Sequence, residues 1–131
     1  FVAGLGTSGT CMGTTRRLHE HSRTIDCIAV EPAEALHGLE GLKHMASSLV
    51  PEIYDPKVPD QILPIGTDAG WDMSDRLAAE EGLHVGHSTG ANVAAALEVA
   101  KRPEASCVVA IACDRGDRYF APMKWEKHYE W

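Results

Sequence analysis

No window of this 131-residue sequence approaches the eighteen or more consecutive apolar residues of a membrane span, and its start lacks the pattern of a secretory signal. A membrane is therefore not an expected partner. Cations are scarce as well: Lys and Arg number 12 against 19 Asp and Glu, for a net charge of -7. Such a surface repels nucleic acid and anionic lipid. Cysteine is sparse and poorly placed for pairing. Cys11, Cys27, Cys107 and Cys113 form no Cys-x-x-Cys pair, and each lies in an apolar or strand-like stretch. They read as buried free thiols of a protein in the reducing cytoplasm, not as a disulfide framework. Histidine offers no ligand spacing: His19 and His21 point to different sides of a predicted helix, and His84 and His87 to opposite faces of a predicted strand. No metal site is expected.

What remains is an alternation of strand-like and helical runs, which predicts an α/β domain with a mainly parallel sheet flanked by helices. Strands are expected at Phe1 to Ala3, Asp26 to Val30, Gln61 to Ile65, His84 to His87 and Ser106 to Ala112. The last of these is apolar on both faces, as an interior parallel strand should be. Helices are expected from Thr10 to His21, from a cap at Thr67 or Asp68 to Glu81 with Gly82 ending it, and from Ala91 to Lys101. The last helix places Val93, Ala94, Leu97 and Ala100 on one face. Ala33 to Pro59 reads as a long, functional loop with short helical pieces. The tail from Asp114 to Trp131 is charged and aromatic and reads as a surface wrap. The opening apolar run Phe1-Val2-Ala3-Gly4 has the look of a buried strand, so the chain is expected to begin inside a larger protein.

Two glycine turns carry the chemistry. Gly4-Leu5-Gly6-Thr7-Ser8-Gly9-Thr10 joins a predicted strand to a predicted helix. Its glycines permit a sharp turn, its free N–H groups converge at the positive end of the helix dipole, and its hydroxyls add donors. That suits a phosphate dianion. Gly13, one turn beyond Gly9, is expected to let the helix lie close to the sheet. Gly4-x-Gly6-x-x-Gly9, with Glu31 at the end of the next strand as a ribose-binding acid, also matches the dinucleotide fingerprint. The second turn, Gly86-His87-Ser88-Thr89-Gly90-Ala91, again joins a strand to a helix start, where Ser88 can serve as a cap or face a ligand.

Taken together, these segments resemble the cysteine synthase family of pyridoxal-phosphate enzymes. Gly6-Thr7-Ser8-Gly9-Thr10 is similar to the family's cofactor-phosphate loop. Glu80-Glu81-Gly82 followed by Gly86-x-Ser88-x-Gly90-Ala91 is similar to its second cofactor segment, and Val30-Glu31-Pro32 and Val50-Pro51 fall in the family order. The resemblance implies a tryptophan-synthase β-like, fold type II architecture, with residues 1–131 forming the C-terminal, large-domain portion of a two-domain enzyme. It implies that Gly6, Thr7, Ser8, Gly9 and Thr10 hold the phosphate of pyridoxal phosphate and that Ser88 hydrogen-bonds the pyridine nitrogen. A hydroxyl at that nitrogen need not keep it protonated, which fits β-elimination chemistry. The reaction implied is a β-replacement: the substituent of an activated serine leaves and a sulfur donor takes its place, giving cysteine. A homodimer is implied as well.

The family's cofactor lysine belongs to the N-terminal half. None of Lys43, Lys57, Lys101, Lys124 and Lys127 has its flanking pattern, so this segment alone is expected to be inactive. The stretch Leu42 to Pro51 departs from the glycine-rich loop of the common branch. It is more similar to the sulfhydrylase B branch, some members of which carry a basic residue here and accept O-phosphoserine. Lys43 is accordingly a candidate for a substrate phosphate, or else a solvated surface lysine. Two alternatives stay open: a cystathionine β-synthase or serine/threonine dehydratase relative of the same fold, and a non-catalytic dinucleotide-binding module.

Overall fold

The computed structural model describes residues 1–119. A three-stranded parallel sheet is ordered β1 (Val2–Gly4), β2 (Ile28–Pro32), β3 (Gln61–Ile65). Val2 is opposite Ile28, and Ile28 opposite Gln61. The helix α1 (Gly9–His21) makes the crossover from β1 to β2. The strands sort their side chains by the period of two that a strand imposes. Val2, Ile28 and Val30 face one way and pack with Leu39, Leu42 and the Ala91, Ala95, Ala96 and Val99 stripe of α3 (His87–Ala100). Ala3 and Ala29 face the other way, joining Leu5, Cys11, Met12 and Met45 against α1. β1 and β2 are thus covered on both faces, which is why they are apolar except for Glu31. A further helix, α2 (Thr67–Glu81), packs along α3.

Several expectations need correction. Thr67 does not cap α2: Gly66 is its N-cap, while the Thr67 hydroxyl accepts the Gly38 N–H at 3.0 Å and so ties the long loop to the helix. Gly82 does end α2, with a φ of 68°. The run His84 to His87 is no strand; Val85 makes a single antiparallel bridge to Arg115, and α3 begins at His87. The buried face of α3 also differs from the expected one. Ala91, Asn92, Ala95, Ala96 and Val99 are buried, whereas Leu97 and Ala100 of the expected face are exposed. In this chain Ser106 to Ala112 forms no regular strand and meets the sheet at β1. It bridges Val2 through Ala110, with the Val2 N–H donating to the Val109 carbonyl at 2.8 Å, and Val109 is 55% exposed. Gly13 is exposed and a Cβ there would touch nothing within 4 Å, so it does not serve close packing on the sheet. All four cysteines are free thiols, but only Cys11 and Cys27 are buried; Cys107 and Cys113 are exposed. Burial pushes the Cys11 thiol up to about 11. Most of the expected tail wrap lies outside the described residues.

The segment between β2 and β3 is a structured lid over the carboxyl ends of the strands. Leu39, Leu42 and Met45 are buried. The Lys43 N–H donates to the Leu5 carbonyl at 2.7 Å, and the Met45 N–H to the Glu31 carboxylate at 3.3 Å.

Candidate functional site

The first glycine turn lies between β1 and α1, and it adopts the one strained backbone of the described chain outside glycine. Ser8, the N-cap of α1, has φ 69° and ψ 0°, a left-handed conformation that costs a serine about 1–3 kcal/mol. Strain of this kind persists where the surroundings enforce it. Ser8 is 3% exposed, and its hydroxyl has no hydrogen-bond partner within the chain. The first N–H groups of α1 lack intrahelical acceptors, and the positive end of the helix dipole lies among them. The turn is therefore a set of donors with one buried hydroxyl left over, which is what a phosphate requires.

An open cavity of about 300 Å³ is lined by Gly6, Thr7, Ser8 and Thr10 from this turn and by Ser88 from the first turn of α3. Gly41 and Leu42 of the long loop and Ile111 to Asp114 also line it. The structure brings four of the five expected phosphate-loop residues to one wall together with Ser88, at the carboxyl end of β1, where open α/β sheets bind ligands. Gly9 is the exception: it starts α1, is exposed, and does not line the cavity. Ser88 is 4% exposed and sits inside α3, whose N-cap is Gly86, so capping is not its task. Lys43 does not line the cavity either. Its ammonium donates to the Leu49 carbonyl at 3.1 Å and braces the loop instead. Glu31, the acid of the dinucleotide alternative, spends its carboxylate on the Met45 N–H.

Sequence reasoning missed the far wall. Tyr119, Asp114 and Glu40 line it. The Tyr119 hydroxyl donates to Asp114, and that bond, then burial and the nearby carboxylates, push it up to about 12, so it remains protonated at any physiological pH. His87 stacks between Trp71, with centroids 4.7 Å apart, and Tyr119, at 5.7 Å. Its Nδ1 lies 2.8 Å from the Glu40 carboxylate. Glu40, Trp71 and Tyr119 lie 47, 16 and 32 residues from His87, so no local spacing could have signalled their meeting.

Away from the cavity, His19, Cys27 and Asp60 place one ligand-type atom each within 4.8 Å of one another. The contacts there are those of a clip. The Asp60 carboxylate lies 2.9 Å from His19 Nε2 and accepts the Cys27 N–H at 2.8 Å, joining the end of α1 to the starts of β2 and β3. Burial raises the Asp60 carboxyl, but the Cys27 N–H and His19 outweigh it and hold the carboxyl below its ordinary value of 3.8. A depressed carboxyl adds stability that is complete above the ordinary value and is lost as the pH falls through the folded value. Asp60→Asn is therefore expected to lower the thermal midpoint at pH 6, with the gap to the unaltered protein closing as the pH falls below the ordinary value of 3.8. Thermal unfolding monitored by circular dichroism across that range is the check; a gap independent of pH would contradict it.

The geometry fits pyridoxal phosphate, and comparison with known proteins agrees. Residues 1–114 match the family described as pyridoxal-phosphate dependent enzymes. Cysteine synthase of Aquifex aeolicus is 40% identical over 123 residues, covering 91% of this chain and 38% of that protein. Cysteine synthase B of Pseudomonas aeruginosa is 37% identical, covering 92% of this chain and 40% of that protein. Among solved structures, cysteine synthase from Entamoeba histolytica superposes with a TM-score of 0.85 at 32% identity, over 99% of this chain and 40% of that one. The chain spans about two fifths of the length of these relatives. The parallel sheet with flanking helices is that of fold type II pyridoxal-phosphate enzymes. This overturns the free-standing dinucleotide module: the chain belongs to the pyridoxal-phosphate dependent enzyme family.

Proposed function

We propose that the protein carrying this chain is a cysteine synthase, forming L-cysteine from an activated serine and a sulfur donor. The observation that supports this best is the single cavity joining the Gly6–Thr10 turn to Ser88. When bound, pyridoxal phosphate supplies an electron sink for chemistry at the substrate's α- and β-carbons. The residues of this chain bind and orient it. The turn from Gly6 to Thr10 offers N–H groups and hydroxyls to the phosphate, including the unpartnered Ser8 hydroxyl. Ser88 would offer a neutral hydroxyl to the ring nitrogen, which need not keep that nitrogen protonated. The segment between β2 and β3 forms part of the cavity wall through Gly41 and Leu42.

No lysine lines the cavity among the described residues, so this chain alone is expected to be inactive and to act with the rest of the protein. A homodimer in the cytoplasm accords with the family resemblance and with the unpaired thiols. No helix of the described residues is long and apolar enough to cross a membrane.

The test is direct. The purified whole protein should take up pyridoxal phosphate and, given O-acetylserine and sulfide, release cysteine; cofactor uptake without cysteine would favour a dehydratase-like relative. Ser88→Ala should weaken cofactor binding by about fivefold, the worth of one hydrogen bond of ~1 kcal/mol, and shift the absorbance of the bound cofactor. Unchanged affinity and spectrum would remove Ser88 from the site.

A further inference from the structure

Alternate residues of a parallel strand turn their peptide groups to the same neighbour. On the side of β1 away from β2, the Val2 N–H donates to the Val109 carbonyl at 2.8 Å, and the Val2 carbonyl accepts the Ile111 N–H at 3.1 Å. Gly4 is the next residue of β1 to face that way, since Leu5 pairs across to Val30 of β2. On the facing segment the next groups in the ladder are the Ile111 carbonyl and the Cys113 N–H. These are taken by α3 instead. Asn92 Nδ2 donates to the Ile111 carbonyl at 2.9 Å, and the Thr89 hydroxyl accepts the Cys113 N–H at 2.9 Å. The two backbones part at this point, and the cavity lies in the fork. Ala3 and Gly4 line one side of it and Ile111 to Asp114 the other.

Gly86, Thr89 and Asn92 are spaced by three, so they share one face at the start of α3. They hold Asp114, Cys113 and Ile111 in turn, the Gly86 N–H donating to the Asp114 carbonyl at 3.2 Å. Thr89 and Asn92 are buried, which strengthens their hydrogen bonds. The Asn92 carboxamide fills the angle of the fork: a Cβ built on Gly4 would lie 3.1 Å from its Oδ1, while its Nδ2 holds Ile111. Ser88 rides on the same turn of α3 and lines the same cavity. Peptide groups deprived of Thr89 and Asn92 would seek other partners. Continuing the ladder onto Gly4 would satisfy them and close the fork.

We propose that Thr89 and Asn92 are positioning residues that hold the fork between β1 and the Ile111–Asp114 wall open, so that the cavity is formed before pyridoxal phosphate binds. The assignment rests on reading this cavity as the cofactor site. A site closed for part of the time binds with its affinity reduced by the fraction that is open, and the loss falls on the rate of association.

The experiment follows pyridoxal phosphate binding to the whole protein, freed of cofactor, by stopped-flow absorbance. Thr89→Val keeps the shape of the side chain and removes the acceptor. It should slow association by about tenfold and leave the dissociation rate and the absorbance of the bound form near those of the unaltered protein. Thr89→Ser restores the oxygen and should restore the rate to within about twofold. Asn92→Leu should act as Thr89→Val does. Binding weakened by faster dissociation, or lost equally in Thr89→Ser, would reduce the two residues to packing and overturn the proposal. Rates unmoved in Thr89→Val and Asn92→Leu, with Ser88→Ala still weakening the cofactor, overturn it alone; if Ser88→Ala is silent too, the reading of the cavity falls with it. Amide exchange at Cys113 in the unaltered, cofactor-free protein decides the matter should both variants unfold. Protection is expected there, and exchange as fast as in an open loop would contradict the proposal.

Discussion

Gly6→Ala, made in the whole protein, should yield a folded enzyme that no longer retains pyridoxal phosphate through dialysis. Gly6 stands where the phosphate turn and the lid segment come closest. A Cβ built there would meet the Gly41 carbonyl at less than 3.0 Å, a separation that real Cβ atoms do not show. The obstacle is backbone, so no side chain can swing aside. The lid cannot retreat freely either, because Leu39 and Leu42 are buried on its two sides of Gly41 and the Lys43 N–H is bonded to Leu5. The turn must then shift by an amount on the order of 1 Å, which is enough to cost about a hundredfold where donors must converge on one group. Overpacking adds about 1–3 kcal/mol of destabilisation. Gly9→Ala is the control. Its Cβ would touch nothing within 4 Å, and Gly9 begins a helix, so cofactor content should stay close to normal. Absorbance of the dialysed proteins, with circular dichroism to confirm folding, decides the matter. Full cofactor content in Gly6→Ala would show that the turn is not held by this contact.

How much of the molecule is legible in the sequence varies with the kind of information each element carries. The phosphate turn and β3 are readable because local chemistry defines them: glycines between an apolar strand and a helix start, and a short apolar run between turn residues. Gly82 is readable as a helix stop for the same reason. Ser106 to Ala112 is apolar on both faces, but in this chain, which spans about two fifths of its relatives, it meets β1 alone. The α3 face misleads because alanine and valine occupy both sides of that helix; the deciding residue, Asn92, is polar and buried, with its amide donating to the Ile111 carbonyl at 2.9 Å. The cofactor roles of the phosphate turn and Ser88 come from the family resemblance, and the fold brings the two segments to one cavity. Glu40, His87, Trp71 and Tyr119 are beyond reach, since each acquires a role only through partners distant in the chain.

Gly90→Ala should unfold at a markedly lower urea concentration than the unaltered protein. The axes of α2 and α3 approach most closely where Gly90 faces Gly70 and Ser74. An added Cβ at Gly90 would collide with the Gly70 carbonyl and the Ser74 hydroxyl, and would lie 2.9 Å from the Ser74 backbone nitrogen. Ser74 is itself committed: its hydroxyl lies 3.0 Å from the Gly70 carbonyl and 3.3 Å from that of Gly86, and it is buried. Two terms oppose each other. Alanine is better than glycine in a helix by about 1 kcal/mol. Against this stand about 1–3 kcal/mol of overpacking, at the upper end because backbone is struck, and about 1 kcal/mol for disturbing the Ser74 hydrogen bonds. The collision wins, for a net loss of roughly 1–3 kcal/mol. Relief requires α3 to move away from α2, and α3 carries Ser88 two residues before Gly90, so cofactor affinity should fall together with stability. Gly13→Ala separates the terms: it is helical, exposed and free of any Cβ contact within 4 Å, so it should gain up to about 1 kcal/mol. Urea unfolding of the two variants and the unaltered protein should give midpoints that move in opposite directions. If both rose, the α2–α3 approach would have to be looser than the structure places it, and Ser88 would not depend on it.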